Sequence, residues 1–427
     1  MPAADPKRAI EAVWRIESAR LIAGLAHFVR DVGVAEELAQ EALVGALEQW
    51  PESGVPDNPG AWLMAVGKRR AVDRLRRAEV HERKTDELGR ELELRGEGES
   101  HDLAAEIDDP FDDDLLRLVF TTCHPVLSTD GRVALTLRLL GGLTTREIAS
   151  AYLVPESTVA QRIVRAKRTL SAAEVPFEVP EREELRDRLA SVLEVIYLIF
   201  NEGYAATAGD DWMRPELMEE ALRLGRILAE LLPSEPEVHG LVALMELQAS
   251  RARARLGPRG ERILLLDQDR SRWDWLLVGR GLVALERAKR SGGALGPYTL
   301  QAAISACHAR ARVAADTDWE AIVALYDALA QLMPSPVVEL NRAVAIGMAF
   351  GPEAALDLVD GLRSEPALSE YHLLPVVRGD LLDKLGRKDE ARREFERAAA
   401  MTHNSGERAA LMERVAACSP GNGVTRR

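Results

Sequence analysis

Six cations fall within ten residues of one segment: Lys68, Arg69, Arg70, Arg74, Arg76 and Arg77, against the single acid Asp73. On a helix Arg70, Arg74 and Arg77 stand at i, i+4 and i+7 and form one row, with Arg69 and Arg76 beside it. Trp62, Ala65, Val66, Val72 and Leu75 supply an apolar side to the same helix. A cationic row with an aromatic residue near its start suits a phosphate backbone and unstacked bases. The competing reading is a solvated basic face with no ligand.

A second constellation is LTTREIASAYLVPESTVAQRIVRAKRTL, residues 143–170. Thr144 and Glu147 have the spacing of a capping box for a short helix. Ala149 is small where two helices would cross, and Leu153–Val154–Pro155 reads as a tight turn. In the helix that follows, Val159, Ile163, Ala166 and Leu170 face inward, while Thr158, Gln161, Arg162, Arg165 and Arg168 face out. This is the pattern of a helix-turn-helix, whose second helix offers Gln and Arg to base edges in the major groove. An ordinary helical hairpin would not need a basic outer face as well.

Other groupings carry less. Cys123–His124 and Cys307–His308 are adjacent pairs, so on a helix their side chains diverge by about 100°, a poor start for a tetrahedral metal site. Asp108, Asp109 and Asp112 to Asp114 read as solvated, self-repelling charge rather than a magnesium site. Glycine-rich phosphate loops, nucleophile elbows and HExxH are absent from the sequence, so neither an enzyme nor a cofactor or metal is expected.

The elements that must position these residues are all helical. Over 427 residues the composition is 47% hydrophobic, 29% charged and only 5% aromatic, with abundant Ala, Leu, Arg and Glu, which favours helix over sheet. The net charge of −14 is unevenly spread: residues 1–77 are neutral, 78–114 carry −11 and 132–170 carry +5. Two locally basic helices are therefore separated by an acidic strip that the average hides. Asp31–Val32–Gly33 breaks residues 10–50 into two helices, PESGVPDNPG (51–60) is a loop, and a helix runs from about Ala61 to Val80. Residues 81–113 read as a flexible acidic linker, and the prolines of 175–183 as a second boundary.

Beyond that boundary, Leu185, Leu189, Val192, Ile196 and Ile199 mark a helix packed on one face. DWEAIVALYDAL (318–329) matches GPEAALDLVDGL (351–362), and RKDEARREFERA (387–398) follows at a similar offset. Offsets straddling 34 residues indicate tetratricopeptide-like hairpins, clearest from Pro336 to Ala399. The sequence lacks an apolar run long enough to span a membrane and an N-terminal signal segment, and its three cysteines are scattered, which together fit a cytoplasmic protein.

The order of these parts resembles bacterial sigma factors of the sigma-70 family, extracytoplasmic-function (ECF) group. The likeness rests on DVGVAEELAQEALVGALEQW, NPGAWLMAVGKRRAVDRLRR and the helix-turn-helix, over residues 10–172. FNEGYAA (200–206) is similar to the opening of the helical extension that one ECF subgroup carries. The resemblance implies an all-α chain: region 2 over 1–80, a linker over 81–113, region 4 over 114–172 and a tetratricopeptide-like extension over 183–415. It implies that Asp31, Glu36, Glu37, Leu38, Gln40 and Glu41 dock on the β′ clamp of core RNA polymerase, with region 4 near the β flap. Asn58, Trp62, Arg69, Arg70, Arg74, Arg76 and Arg77 would serve the −10 element; Thr158, Gln161, Arg162, Arg165 and Arg168 would meet the −35 element. The implied function is promoter-specific initiation with no catalysis by the chain itself, the extension regulating or recruiting through a soluble partner. Pro155 and Leu153 depart from the capping Ser and the Gly found in many relatives. A competing reading is a helix-turn-helix regulator with a helical-repeat sensor that acts without polymerase, and it leaves residues 31–77 without a role.

Overall fold

The computed structural model describes residues 6–89, 111–152, 154–205, 212–257, 263–292, 295–402 and 404–418. Among the described residues every regular element is a helix, as the all-α reading expects. The chain divides into two compact units, Met1–Val195 and Ile196–Arg427.

In the first unit, α1 (Pro6–Val29), α2 (Val32–Ser53) and α3 (Pro59–Gly89) pack on one another. Their shared core holds Ile22, Leu25, Leu38 and Leu63, each almost wholly buried. Arg30 takes the left-handed conformation (φ 56°), and Asp31 then caps α2 by accepting from Gly33 N at 2.7 Å and Val34 N at 2.9 Å. The break expected at 31–33 is this turn. Two boundaries differ from the sequence reading. Residues 51–53 continue α2 although Pro51 lies within it, and α3 runs to Gly89, nine residues into the acidic stretch. The rest of that stretch, residues 90–110, lies outside the described residues.

Then come α4 (Phe111–Thr122), α5 (Thr129–Leu139), α6 (Thr145–Tyr152) and α7 (Glu156–Ala172). Phe120, Leu118, Leu135 and Leu137 fill the core beneath them, and α4 packs on α1. The expected boundary at 175–183 is only partly a linker, because Phe177 within it is buried. α8 (Arg182–Tyr204) follows. Its Arg188 donates to Phe120 O at 3.2 Å and its Ser191 Oγ to Cys123 O at 2.6 Å, so its first half belongs to the first unit.

The second unit is a succession of helical hairpins. α9 (Pro215–Leu231) and α10 (Pro236–Ala249) are followed by α11 (Trp275–Arg290) and α12 (Pro297–Arg310). α10 is buried on nearly all sides, with Val238, Leu241, Leu244 and Leu247 in the core. The three segments matched in sequence fall on α13 (Trp319–Leu332), α15 (Pro352–Gly361) and α17 (Lys388–Met401), and the structure follows each with a further helix: α14 (Pro336–Ala349), α16 (Leu373–Lys384) and α18 (Ser405–Ala417). Each helix packs on the next, and one apolar core runs through the last two pairs around Leu382 and Phe395. Gly379 makes the α16–α17 approach possible, since a Cβ there would meet the Phe395 ring at 2.5 Å. Five α-helices among the described residues of this unit open on proline, where the missing N–H costs no helical hydrogen bond.

Candidate polymerase and nucleic-acid interface

Asn58 opens α3, its Oδ1 accepting from Ala61 N at 3.0 Å. One turn in, the Trp62 ring meets Trp50 edge-on at 5.3 Å and pins the start of α3 to the end of α2. Of the basic row, Arg69 and Arg76 are exposed. Arg70 pairs with Glu41 at 2.8 Å and Arg74 with Glu37 at 2.7 Å, all four side chains being roughly half exposed. The Arg77 side chain lies outside the described residues. Thus residues read as serving two different partners are joined in pairs on one surface. Exposed pairs of this kind contribute only about 0–1 kcal/mol and exchange readily.

On α2 the six residues of the docking set separate. Glu37 and Glu41 are exposed and Gln40 is half-buried, while Asp31 is engaged as the cap. Leu38 is 1% exposed and belongs to the core with Ala35, Ala39 and Ala42, so it offers no docking surface in this structure. Glu36 is buried too, but by charge: Arg138 Nε of α5 donates to its Oε1 at 2.6 Å, and Lys167 Nζ of α7 holds Oε2. Burial pushes the Glu36 carboxyl pKa up, yet the two cations outweigh it and hold the pKa below the usual carboxylate value.

The helix-turn-helix forms as read. Thr144 N donates to Glu147 Oε2 at 2.7 Å and Glu147 N to Thr144 Oγ1 at 3.1 Å, closing the capping box. Ala149 is buried at the crossing of α6 and α7, and Val159, Ile163, Ala166 and Leu170 all face the core. Pro155 stands at the N-cap of α7 without a side-chain cap, and Leu153 lies outside the described residues. Gln161, Arg165 and Arg168 are exposed, and Thr158 is half-buried. Arg162 is drawn onto Asp130 of α5 at 2.6 Å. Sequence reasoning missed Asp130, Arg138 and Lys167. Lys167 could have been noticed as the one cation on α7 out of phase with Arg165 and Arg168.

The weaker groupings have ordinary surroundings. The Cys123 thiol is buried near Thr136 Oγ1 at 3.4 Å, and burial pushes its pKa up. His308 is buried edge-on against Trp319 at 5.2 Å, and burial beside Arg251 and Arg270 lowers its pKa to about 4. Asp114 sits on α4, bound to Arg117 at 2.7 Å and to His27 at 3.0 Å. Asp108 and Asp109 lie outside the described residues. Within the second unit a cavity of about 780 Å³ is lined by Trp212, Arg255, His372, Arg397 and Met401, among others. Its wall includes Glu407, held by His372 at 3.0 Å and Thr402 at 2.8 Å.

Comparison with known proteins fits this geometry. Residues 16–80 match the family model Sigma-70 region 2, 117–170 match Sigma-70, region 4, and 188–289 match a family of unknown function (DUF6596). An uncharacterized protein of Rhizobium meliloti (strain 1021) is 45% identical over 386 residues, covering 90% of each chain. A probable RNA polymerase sigma-C factor of Mycobacterium bovis is 30% identical over 36% of this chain and 76% of its own. An ECF RNA polymerase sigma factor SigK of Mycobacterium ulcerans is 32% identical over 34% of this chain and 75% of its own. Among solved structures, yeast Tom70 aligns over 97% of this chain and 84% of its own at 12% identity, with a TM-score of 0.32. Two family-matched segments in order, on the helices that carry the basic row and the helix-turn-helix, lead to one conclusion: the chain belongs to the sigma-70 family of RNA polymerase sigma factors, in its ECF group, with a C-terminal helical extension.

Proposed function

We propose that this sigma factor binds core RNA polymerase through the outward face of α2 and directs it to promoters read by α3 and α7. The carrying observation is that Glu37 and Glu41 on α2, Arg69 and Arg76 on α3, and Gln161, Arg165 and Arg168 on α7 all reach solvent within one unit. Glu37, Gln40 and Glu41 face the β′ clamp, with region 4 at the β flap. Trp62 and Asn58, with Arg69, Arg70, Arg74, Arg76 and Arg77, hold the opened −10 strand by stacking and charge. Gln161, Arg162, Arg165 and Arg168, beside Thr158, enter the −35 major groove. Arg70, Arg74 and Arg162 exchange carboxylates for phosphates as they bind. With six or more phosphate contacts, affinity falls roughly 10³-fold between 50 and 200 mM salt. The chain works in the cytoplasm and leaves catalysis to the polymerase.

The extension regulates or recruits. Its cavity has the volume of a ligand site and mixes an indole and a methionine with two arginines, which suits a small soluble partner or a peptide segment. The deciding experiment is retention of core polymerase by the immobilised full chain, with Glu37→Ala/Glu41→Ala as control. Leu38→Ala is a poor control because it cuts a hole in the core. Salt-resistant retention lost in the control supports the reading. Promoter binding with no retention of polymerase would turn it to a free-standing helix-turn-helix regulator.

A further inference from the structure

Glu36 is the one acid of the docking set that does not face solvent. Its side chain is 7% exposed, whereas that of Glu37, the next residue, is 59% exposed. What covers it comes from the other DNA-binding domain: Arg138 on α5, 102 residues away, and Lys167 on α7. The same α7 thus has two cationic faces. Arg165 and Arg168 point to solvent, while Lys167 points to α2 and lies against Gly33 at 3.6 Å from an ideal Cβ there. A second tie, Arg15 of α1 to Glu147 of α6 at 3.1 Å, joins the same two domains.

We infer that Glu36 is a latch: gripping Arg138 and Lys167, it holds region 4 against the polymerase-docking helix in the free chain. The inference rests on the docking role proposed for α2. At α2 the tie is the ion triad of Glu36, Arg138 and Lys167, with α4 packed on α1 beside it. A cleft of about 390 Å³ borders the triad at Lys167, lined also by Asp31, Thr121 and Glu174 among others. Removing one partner of such a triad leaves a desolvated charge, but separating all three returns each to water or to a new ligand. Once apart, Glu36 joins Glu37 and Glu41 as a third acid for a basic polymerase surface. Arg138 and Lys167 become free for phosphates. Polymerase and promoter therefore both favour the open form, and each makes binding of the other easier.

The test uses the full chain and the variant Arg138→Gln/Lys167→Gln, neither residue belonging to the docking or base-reading sets. Circular dichroism checks that helix content is kept. Two readouts are taken: a double-mutant cycle between Glu36→Gln and Arg138→Gln on the thermal midpoint, and affinity for core polymerase. The latch predicts a non-additive cycle and a variant that binds polymerase at least about five-fold tighter than the wild type. An additive cycle overturns the contact itself. A non-additive cycle with unchanged or weaker polymerase affinity leaves a structural ion pair and overturns the latch. If neither protein binds polymerase, the docking reading fails and the latch with it, while the cycle still tells that failure apart from loss of the contact.

Discussion

Two sets of arginines, one drawn from each unit, do opposite work. In the first, Arg70 and Arg74 sit half exposed beside carboxylates that are equally exposed, and Arg165 and Arg168 make no ion pair among the described residues. In the second, Arg270, Arg255 and Arg378 are 6%, 8% and 9% exposed. Arg270 donates to the carbonyls of His308 and Ala311 and lies 4.9 Å from the Trp273 ring centre. Arg255 stacks on Tyr204 at 3.8 Å. Arg378 ties Asp360 on α15 at 2.7 Å to Glu394 on α17 at 2.8 Å. Guanidiniums of the first kind are open to exchange with a polyanion; those of the second are part of the packing. Burial, and not charge count, separates the arginines available to a ligand from those that hold helices together.

The sharpest way to break this contrast is to remove one arginine from each side. Arg378→Ala strands Glu394 and should cost the extension about 3–5 kcal/mol, read by denaturant unfolding. A loss under 1 kcal/mol would place Arg378 with the exchangeable class.

Acid should separate the units as well. His308 is neutral in the fold down to a pKa of about 4, against an ordinary histidine value of 6.5. Its folded pKa is depressed, so below 6.5 the unfolded chain binds the proton more readily. The stability is complete above pH 6.5 and is lost as pH falls toward 4, roughly 2 kcal/mol by pH 5. A thermal midpoint of the extension that is flat over that range in wild type and His308→Gln alike would be against this. Glu36 in the first unit behaves differently: its lowered pKa means that its contribution persists to about pH 4.5 and goes only below that.

Arg165→Ala and Arg168→Ala should each weaken duplex binding by about 1–3 kcal/mol while leaving the midpoint unchanged. A contact to phosphate alone would instead reduce the salt slope by about one unit, in equal measure for every DNA sequence. The smallest effect on stability, within about 0.5 kcal/mol, is expected for Glu37→Ala/Glu41→Ala, for which loss of polymerase retention is the large readout.

How much of this was legible depended on the range of the interaction. The capping box, the Asp31 break and the inward set Val159, Ile163, Ala166 and Leu170 are local, and the helical period exposes them. Leu38 was misread because a family likeness supplies the helix but not its rotational phase; Ala35, Ala39 and Ala42 mark its inner side. Hairpins before Asp318 escaped notice because α10 is apolar all round and has no stripe, and because the segment between α10 and α11 interrupts the repeat spacing. The Glu36 contact depends on residues 102 and more positions away, and no local pattern announces it.

The prolines that open α9, α10, α12, α14 and α15 have a practical consequence. A helix started by proline cannot grow backwards without losing a hydrogen bond and meeting the ring, so its first residue stays where it is when the preceding loop is changed. Residues lengthening a connection such as 333–335 should therefore be absorbed as loop, without shifting the register of the helix that follows. The extension can accept a tag or an acquired insertion there and keep its hairpins stacked, so the same punctuation that orders the repeats also leaves places where the chain can be edited.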